Sequence, residues 1–347
     1  MLRRGTERDH LTIGVQAQYH WIFEEGPGAG RACVPVGITG GKMTKNTRRS
    51  TADIFLLMVF LITLSAVTIP CSPMPEGTAG EGVIEPGAKL VILEKGFRFT
   101  EGPAVDSGGT LYFTDIPNNL IHKWDEKTGL GIFRKDSEGA NGLYFDPSGN
   151  LVICAGGGKK IVSIDRKGVV TVLAAEYDGK PFNQPNDLWI RPDGGVYFSD
   201  PVYGSGTQTQ DGMHVYYISP DRRRVTRVVD DMIRPNGLIG TPDGKWLYIA
   251  DAGAQKTWRY WMNTDGSLSK KTLFVESGSD GMTIDGRGNI YITGNTVHVY
   301  NPRGKRIDEI QTPARPTNLC FGGPDNKTLY ITARTFLCSI QTTVPGV

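Results

Sequence analysis

The chain has 347 residues, of which 39% are hydrophobic and 21% charged, with a formal net charge of +2. That length supports a large core in one or two domains, and so small a net charge offers no electrostatic hold on nucleic acid, which calls for a basic patch or domain. The 45 glycines and 21 prolines imply many tight turns, and therefore many short strands.

In chain order, residues 1–42 show no periodicity and read as a non-native upstream extension or a disordered segment. From Met43 the pattern changes. Lys45, Arg48 and Arg49 precede "IFLLMVFLITLSAVTI" at 54–69, an uncharged run of sixteen residues. A basic flank before a short apolar core is the pattern of a secretory signal, and the run is short for a membrane span. The expectation is a signal peptide over 43–72, a linker over 73–84, and an exported protein, periplasmic or secreted. Cys71 follows Thr68, where a lipidation box would place leucine, so a lipid anchor is the less favoured route. Cys33 and Cys71 precede the folded region. Cys154, Cys320 and Cys338 sit in apolar strand contexts at spacings that suit no zinc motif, and they read as small buried hydrophobes.

From residue 101 a phrase recurs. The copies are "EGPAVDSGGTLYFTD" (101), "NGLYFDPSGNLVICA" (141), "NDLWIRPDGGVYFSD" (186), "NGLIGTPDGKWLYIAD" (236), "DGMTIDGRGNIYITG" (280) and "TNLCFGGPDNKTLYITA" (317), with starts 37 to 50 residues apart. Each reads as strand, turn, strand. A third strand follows every copy, and a fourth follows all but the last. Four antiparallel strands at this period are the pattern of a β-propeller blade. The expected fold is all-β: a six-bladed β-propeller of four-stranded blades over 85–347. An N-terminal strand, "KLVILE" at 89–94, would complete the last blade and close the ring, removing an open edge.

In a propeller the first strand of each blade lines the central channel, so the residue ahead of it stands at the channel mouth. Those anchors are Glu101, Asn141, Asn186, Asn236, Asp280 and Thr317. Asn and Asp favour such loops for their own turn chemistry, yet that preference does not cover Glu101 or the shared register. Two carboxylates and neutral amides around one axis suit a hard divalent cation, calcium first, with magnesium or manganese as substitutes and zinc a poorer match to these ligands. A cation there would polarise a carbonyl or phosphoryl oxygen. Calcium acidifies bound water weakly, so a carboxylate would serve as general base; the pattern alone leaves Glu101 and Asp280 both open.

Five phrases carry a resemblance: "TEGPAVD…LYFTDI" (100–116), "NQPNDL…GGVYFSDPVYG" (183–204), "RPNGL…LYIAD" (234–251), "DGMTIDGRGNIYI" (280–292) and "TNLCFGG…LYIT" (317–332). In this order they resemble the SMP-30/gluconolactonase/luciferin-regenerating-enzyme family over about residues 85–341. The resemblance implies metal ligands at Glu101, Asn236 and Asp280, with Asn186 completing the shell or contacting substrate. It also implies that Asp280 is the catalytic acid/base of a gluconolactonase-like enzyme that opens a sugar lactone. Asn141, Asn186 and Tyr203 are the expected substrate contacts. Some family members carry arginine two residues before the blade-three asparagine, where this chain has Gln184.

The partner implied is a small-molecule lactone, with no nucleic acid and no membrane beyond the export signal or a lipid anchor. The competing readings keep the metal site but hydrolyse phosphotriesters or other esters, or make the propeller a non-catalytic ligand binder. Asp115, Asp200 and Asp251 share one place in their blades, which favours a structural role. His122, His214 and His298 fall in third strands, away from the expected channel mouth.

Overall fold

A computed structural model describes residues 82–347. The extension, the export signal, most of the linker, Cys33 and Cys71 lie outside the described residues. Almost everything described is antiparallel strand, and a 3-10 turn at Ile116–Asn118 is the one helical element assigned there. No described helix is long and apolar enough to cross a membrane.

The strands form four sheets of four and one of six. The second sheet holds Ala140–Phe145, Leu151–Ala155, Lys160–Ile164 and Val170–Ala174. The third holds Leu188–Ile190, Val196–Asp200, His214–Ile218 and Val225–Val229. In the fourth are Pro235–Gly240, Trp246–Asp251, Lys256–Met262 and Leu268–Val275. The fifth comprises Met282–Ile284, Ile290–Thr293, Val297–Tyr300 and Arg306–Ile310. Within each, strands pair with their sequence neighbours. Glu176–Tyr177 and Lys180–Pro181 add a small hairpin.

The remaining sheet departs from the expected six four-stranded blades, so the propeller shows five. Its order is Asn318–Gly322, Thr328–Gln341, Val91–Val105, Leu111–Asp115, Leu120–Asp125, Gly129–Lys135. Val91–Val105 is one fifteen-residue strand whose early part pairs with Thr328–Gln341 (Val91↔Ser339, Ile92↔Cys338) and whose later part pairs with Leu111–Asp115. Register shifts between Lys95 and Thr100 and between Glu101 and Ala104 bend it without ending it. Bulges turn a strand while ladder pairing resumes on either side. The N-terminal stretch does pair with the last repeat, but as part of a strand that runs on into the first, so the two repeats are one hydrogen-bonded sheet in place of a separate sixth blade.

The repeated phrase has a local cause. Asp146 Oδ1 accepts the N–H groups of Ser148 (2.9 Å) and Asn150 (2.8 Å), and Gly149 takes φ +80° to let the chain reverse. Asp285 does the same for Arg287 and Asn289, with Gly288 at φ +78°. An aspartate that mimics the backbone and a glycine free to adopt left-handed dihedrals are what this turn requires. Apolar side chains from adjacent sheets fill the spaces between them. One cluster joins Trp189, Tyr197 and Tyr217 of the third sheet to Leu238 and Tyr248 of the fourth and Met282 and Ile290 of the fifth. Cys154 and Cys338 are buried in this interior, Cys320 is half-buried, and all three are free thiols.

Candidate functional site

The segment ahead of three of the anchors is tied down by the aspartate that ends the second strand. Asp115 accepts the N–H groups of Arg98 and Phe99, just ahead of Glu101. Asp200 accepts that of Asn183, ahead of Asn186, at 2.8 Å. Asp251 accepts those of Ile233 and Arg234, ahead of Asn236, at 2.9 Å each. These three acids present the anchors rather than joining them.

Neighbouring anchors are linked through their backbones. Gly142 N–H donates to the Asn186 carbonyl at 2.7 Å, and Gly281 N–H donates to that of Thr317 at 2.7 Å. Thr317 Oγ1 donates to the carbonyl of Thr100, next to Glu101, at 2.7 Å. Glycine follows four of the six anchors because the next repeat lies against it. A Cβ at Gly102 would meet the Asn141 carbonyl, and one at Gly237 that of Asp280. One at Gly142 would press on Asp187, and one at Gly281 on the Asn318 side chain.

Asp187 and Asn318 stand where the other repeats have glycine, and reading the anchors alone missed them. A break in the anchor–glycine pattern is the signal that marks them. Both are buried. Asp187 Oδ1 accepts the Leu188 N–H at 2.9 Å, and its Oδ2 accepts a longer bond from Asn318 Nδ2 at 3.4 Å. Burial pushes the Asp187 carboxyl up to about 7, against hydrogen bonds from Leu188 and Asn318 that pull it down.

The anchors themselves divide. Asn236 donates from Nδ2 to Asp280 Oδ1 at 2.7 Å and to the Tyr203 hydroxyl at 2.6 Å. This places Tyr203 in the site. Its ring lies 5.1 Å under the Arg234 guanidinium, and burial raises its pKa, so the phenol stays neutral. Gln184 holds Tyr203 in place by accepting its backbone N–H at 2.7 Å, while Asn183 Oδ1 accepts those of Thr209 and Gln210 farther along the same loop. Gln184 thus supports the loop.

Glu101 is buried, and its Oε2 accepts the Gly102 N–H at 2.9 Å. Burial, then the negative charges of Asp280 and Asp187, hold its carboxyl well above the usual range. Burial also raises Asp280, partly offset by the Asn236 amide and by the charges of Arg315 and Arg334.

A cavity of about 530 Å³ opens beside these residues. Tyr203, Asn236, Asp280 and Thr317 line it, whereas Glu101, Asn141 and Asn186 are not on its wall. Arg234, Arg315, Arg334 and His298 do line it. The placement of His298 corrects the expectation from strand order, because its ring reaches the cavity from the third strand of the fifth sheet.

Among the described residues no three His, Cys, Asp or Glu side chains already converge as a cation cage. The donor set still fits a hard cation. Glu101 is a buried acid raised further by the charge of Asp280, the amides of Asn186 and Asn236 stand beside them in the ring, and Asn141 Oδ1 is buried with no hydrogen-bond partner. Carboxylates raised first by burial, and a vacant amide oxygen, are groups a dication would satisfy.

The fold and this ring define a propeller of the lactonase type, and comparison with known proteins agrees. Residues 99–335 match the family model described as SMP-30/Gluconolactonase/LRE-like region, and the chain belongs to that family. It is 28% identical to the gluconolactonase of Zymomonas mobilis over 305 residues, covering 77% of this chain and 85% of that one. Regucalcin of Xenopus laevis is 26% identical, over 70% of this chain and 85% of its own. The solved gluconolactonase from Xanthomonas campestris superposes with a TM-score of 0.69 at 27% identity, covering 75% of this chain and 91% of that chain.

Proposed function

We propose that this chain is a cation-dependent hydrolase that opens sugar lactones, with Asp280 as general base. The carrying observation is the Tyr203–Asn236–Asp280 array on the wall of the cavity, next to the buried acid Glu101. The gluconolactonase relatives support the reaction class, and the regucalcin relative supports a divalent metal, calcium first.

Glu101, Asn186, Asn236 and Asp280 are the residues that would hold the cation, which when bound supplies Lewis-acid polarisation of an ester carbonyl. The chain's own groups do the rest. Asn236 fixes one oxygen of Asp280, leaving the other to accept a proton from water. The water oxygen bonds to the carbonyl carbon, the ring C–O bond breaks, and the ring oxygen takes a proton to become a hydroxyl. The product acid ionises and releases one proton to solvent. The neutral Tyr203 hydroxyl accepts from Asn236 and keeps its own hydrogen for substrate, and the amide of Asn141, with that of Asn186 where it does not complete the cation shell, would bind sugar hydroxyls. Export rests on the basic flank and apolar run within 43–72.

The test is base consumption during hydrolysis of glucono-lactone after chelation, then with calcium, magnesium, manganese or zinc restored. Turnover should require the cation, and Asp280→Asn should lower kcat by about 10^2–10^4-fold while the protein still unfolds cooperatively. Undiminished turnover in the variant would remove Asp280 from the mechanism. Turnover of a phosphotriester but of no lactone would replace the substrate class.

A further inference from the structure

The cavity wall carries three arginines that lactone hydrolysis leaves unused. Arg234, Arg315 and Arg334 come from three separate stretches of chain and line one cavity with Asp280. None of their guanidinium groups forms an ion pair with a carboxylate among the described residues. All three residues are exposed, so their charge faces the opening.

Each has a held backbone. Asp251 accepts the Arg234 N–H, and the Arg234 guanidinium lies over the Tyr203 ring. Arg315 precedes Pro316, which restricts it to extended dihedrals. Arg334 takes φ +54° where Thr328–Gln341 bends, and Thr100 Oγ1 donates to its carbonyl at 2.9 Å.

The charge count points the same way. Among the residues lining the cavity Asp280 is the one acid, against three positive charges on the arginines. Guanidinium groups bind carboxylate, sulfonate and phosphate oxygens through paired, charge-assisted hydrogen bonds. We propose that Arg234, Arg315 and Arg334 form an anion clamp, and that the preferred substrate is a sugar lactone carrying a carboxylate, sulfonate or phosphate away from the reacting ester.

This inference rests on the lactonase reading, and the experiment separates the two. Values of kcat/KM are compared for neutral glucono-lactone, 6-phosphoglucono-lactone and glucaro-lactone, with the wild type and with Arg315→Ala/Arg334→Ala. The anionic lactones should be preferred by about tenfold or more, through KM and less so as salt rises. In the double variant the preference should collapse toward one, and Arg315→Lys/Arg334→Lys should recover part of it. Equal or better use of the neutral lactone by the wild type overturns the clamp and leaves the lactonase reading intact. So does an equal loss on every substrate in the variant, which would mean that the arginines only offset the charge of Asp280. If no lactone turns over, calorimetric binding of 6-phosphogluconate decides. Arginine-dependent binding upholds the clamp while the lactonase reading fails, and no binding overturns both.

Discussion

Asp187 gives the sharpest test of the electrostatics under the site. Its folded carboxyl is raised from 3.8 to about 7, with burial as the first cause. A raised acid favours folding while protonated, so this contribution is present below the unfolded value and is lost as pH rises toward 7. A tenfold change in proton affinity is worth about 1.4 kcal/mol, so the metal-free protein forfeits up to about 4 kcal/mol between about pH 4 and pH 7 from this group. Asp187→Asn removes that penalty and keeps an oxygen for the Leu188 N–H. It also turns a donor toward Asn318, at a cost of about 1 kcal/mol. In chelator, at about pH 8, the variant should be more stable by about 3 kcal/mol, or several degrees in Tm. Near pH 4 it should be equal or slightly worse. Urea denaturation across that range, followed by intrinsic fluorescence, reads the difference. Stability curves of wild type and variant that run parallel with pH would refute the assignment, because the carboxyl would then be ionised in both states.

Two further outcomes follow from the packing. Gly281→Ala places a methyl on the Asn318 side chain, and should cost about 1–3 kcal/mol in urea denaturation; a neutral result would mean that the fifth sheet and the six-stranded sheet part more easily than their contacts indicate. Tyr203→Phe removes the hydroxyl that Asn236 reaches, and should lower kcat/KM for the lactone by about tenfold with about 1 kcal/mol or less of lost stability; unchanged kinetics would exclude the hydroxyl from substrate binding.

Much of this molecule was legible from its repeats. The Asp–x–x–Gly turn is written at Asp106, Asp146 and Asp285 because a backbone-mimicking carboxylate and a left-handed glycine are local requirements, which need no distant partner. The anchors were legible because the same register recurs six times in the sequence. Asp187 and Asn318 were visible in principle, as the two places where an anchor is not followed by glycine.

The rest depended on contacts between segments far apart in the chain. Bulged pairing of Val91–Val105 on both sides decided that the first and last repeats share one sheet, so five blades stand where six copies are written. Hydrogen-bond ladders between residues more than two hundred positions apart leave no periodic trace. Gln184 could not be told from a substrate contact until the loop that carries Tyr203 folded back onto it. Nor could Arg234, Arg315 and Arg334 be recognised as neighbours, since no repeat relates them and only the folded wall of one cavity sets them around Asp280. The sequence by itself determined the turns, the strands and the ring of oxygen-bearing anchors, because their causes are local and repeated. Tertiary structure alone decided how the repeats join and which charges surround the reactive carboxylate, because burial and long-range pairing set both.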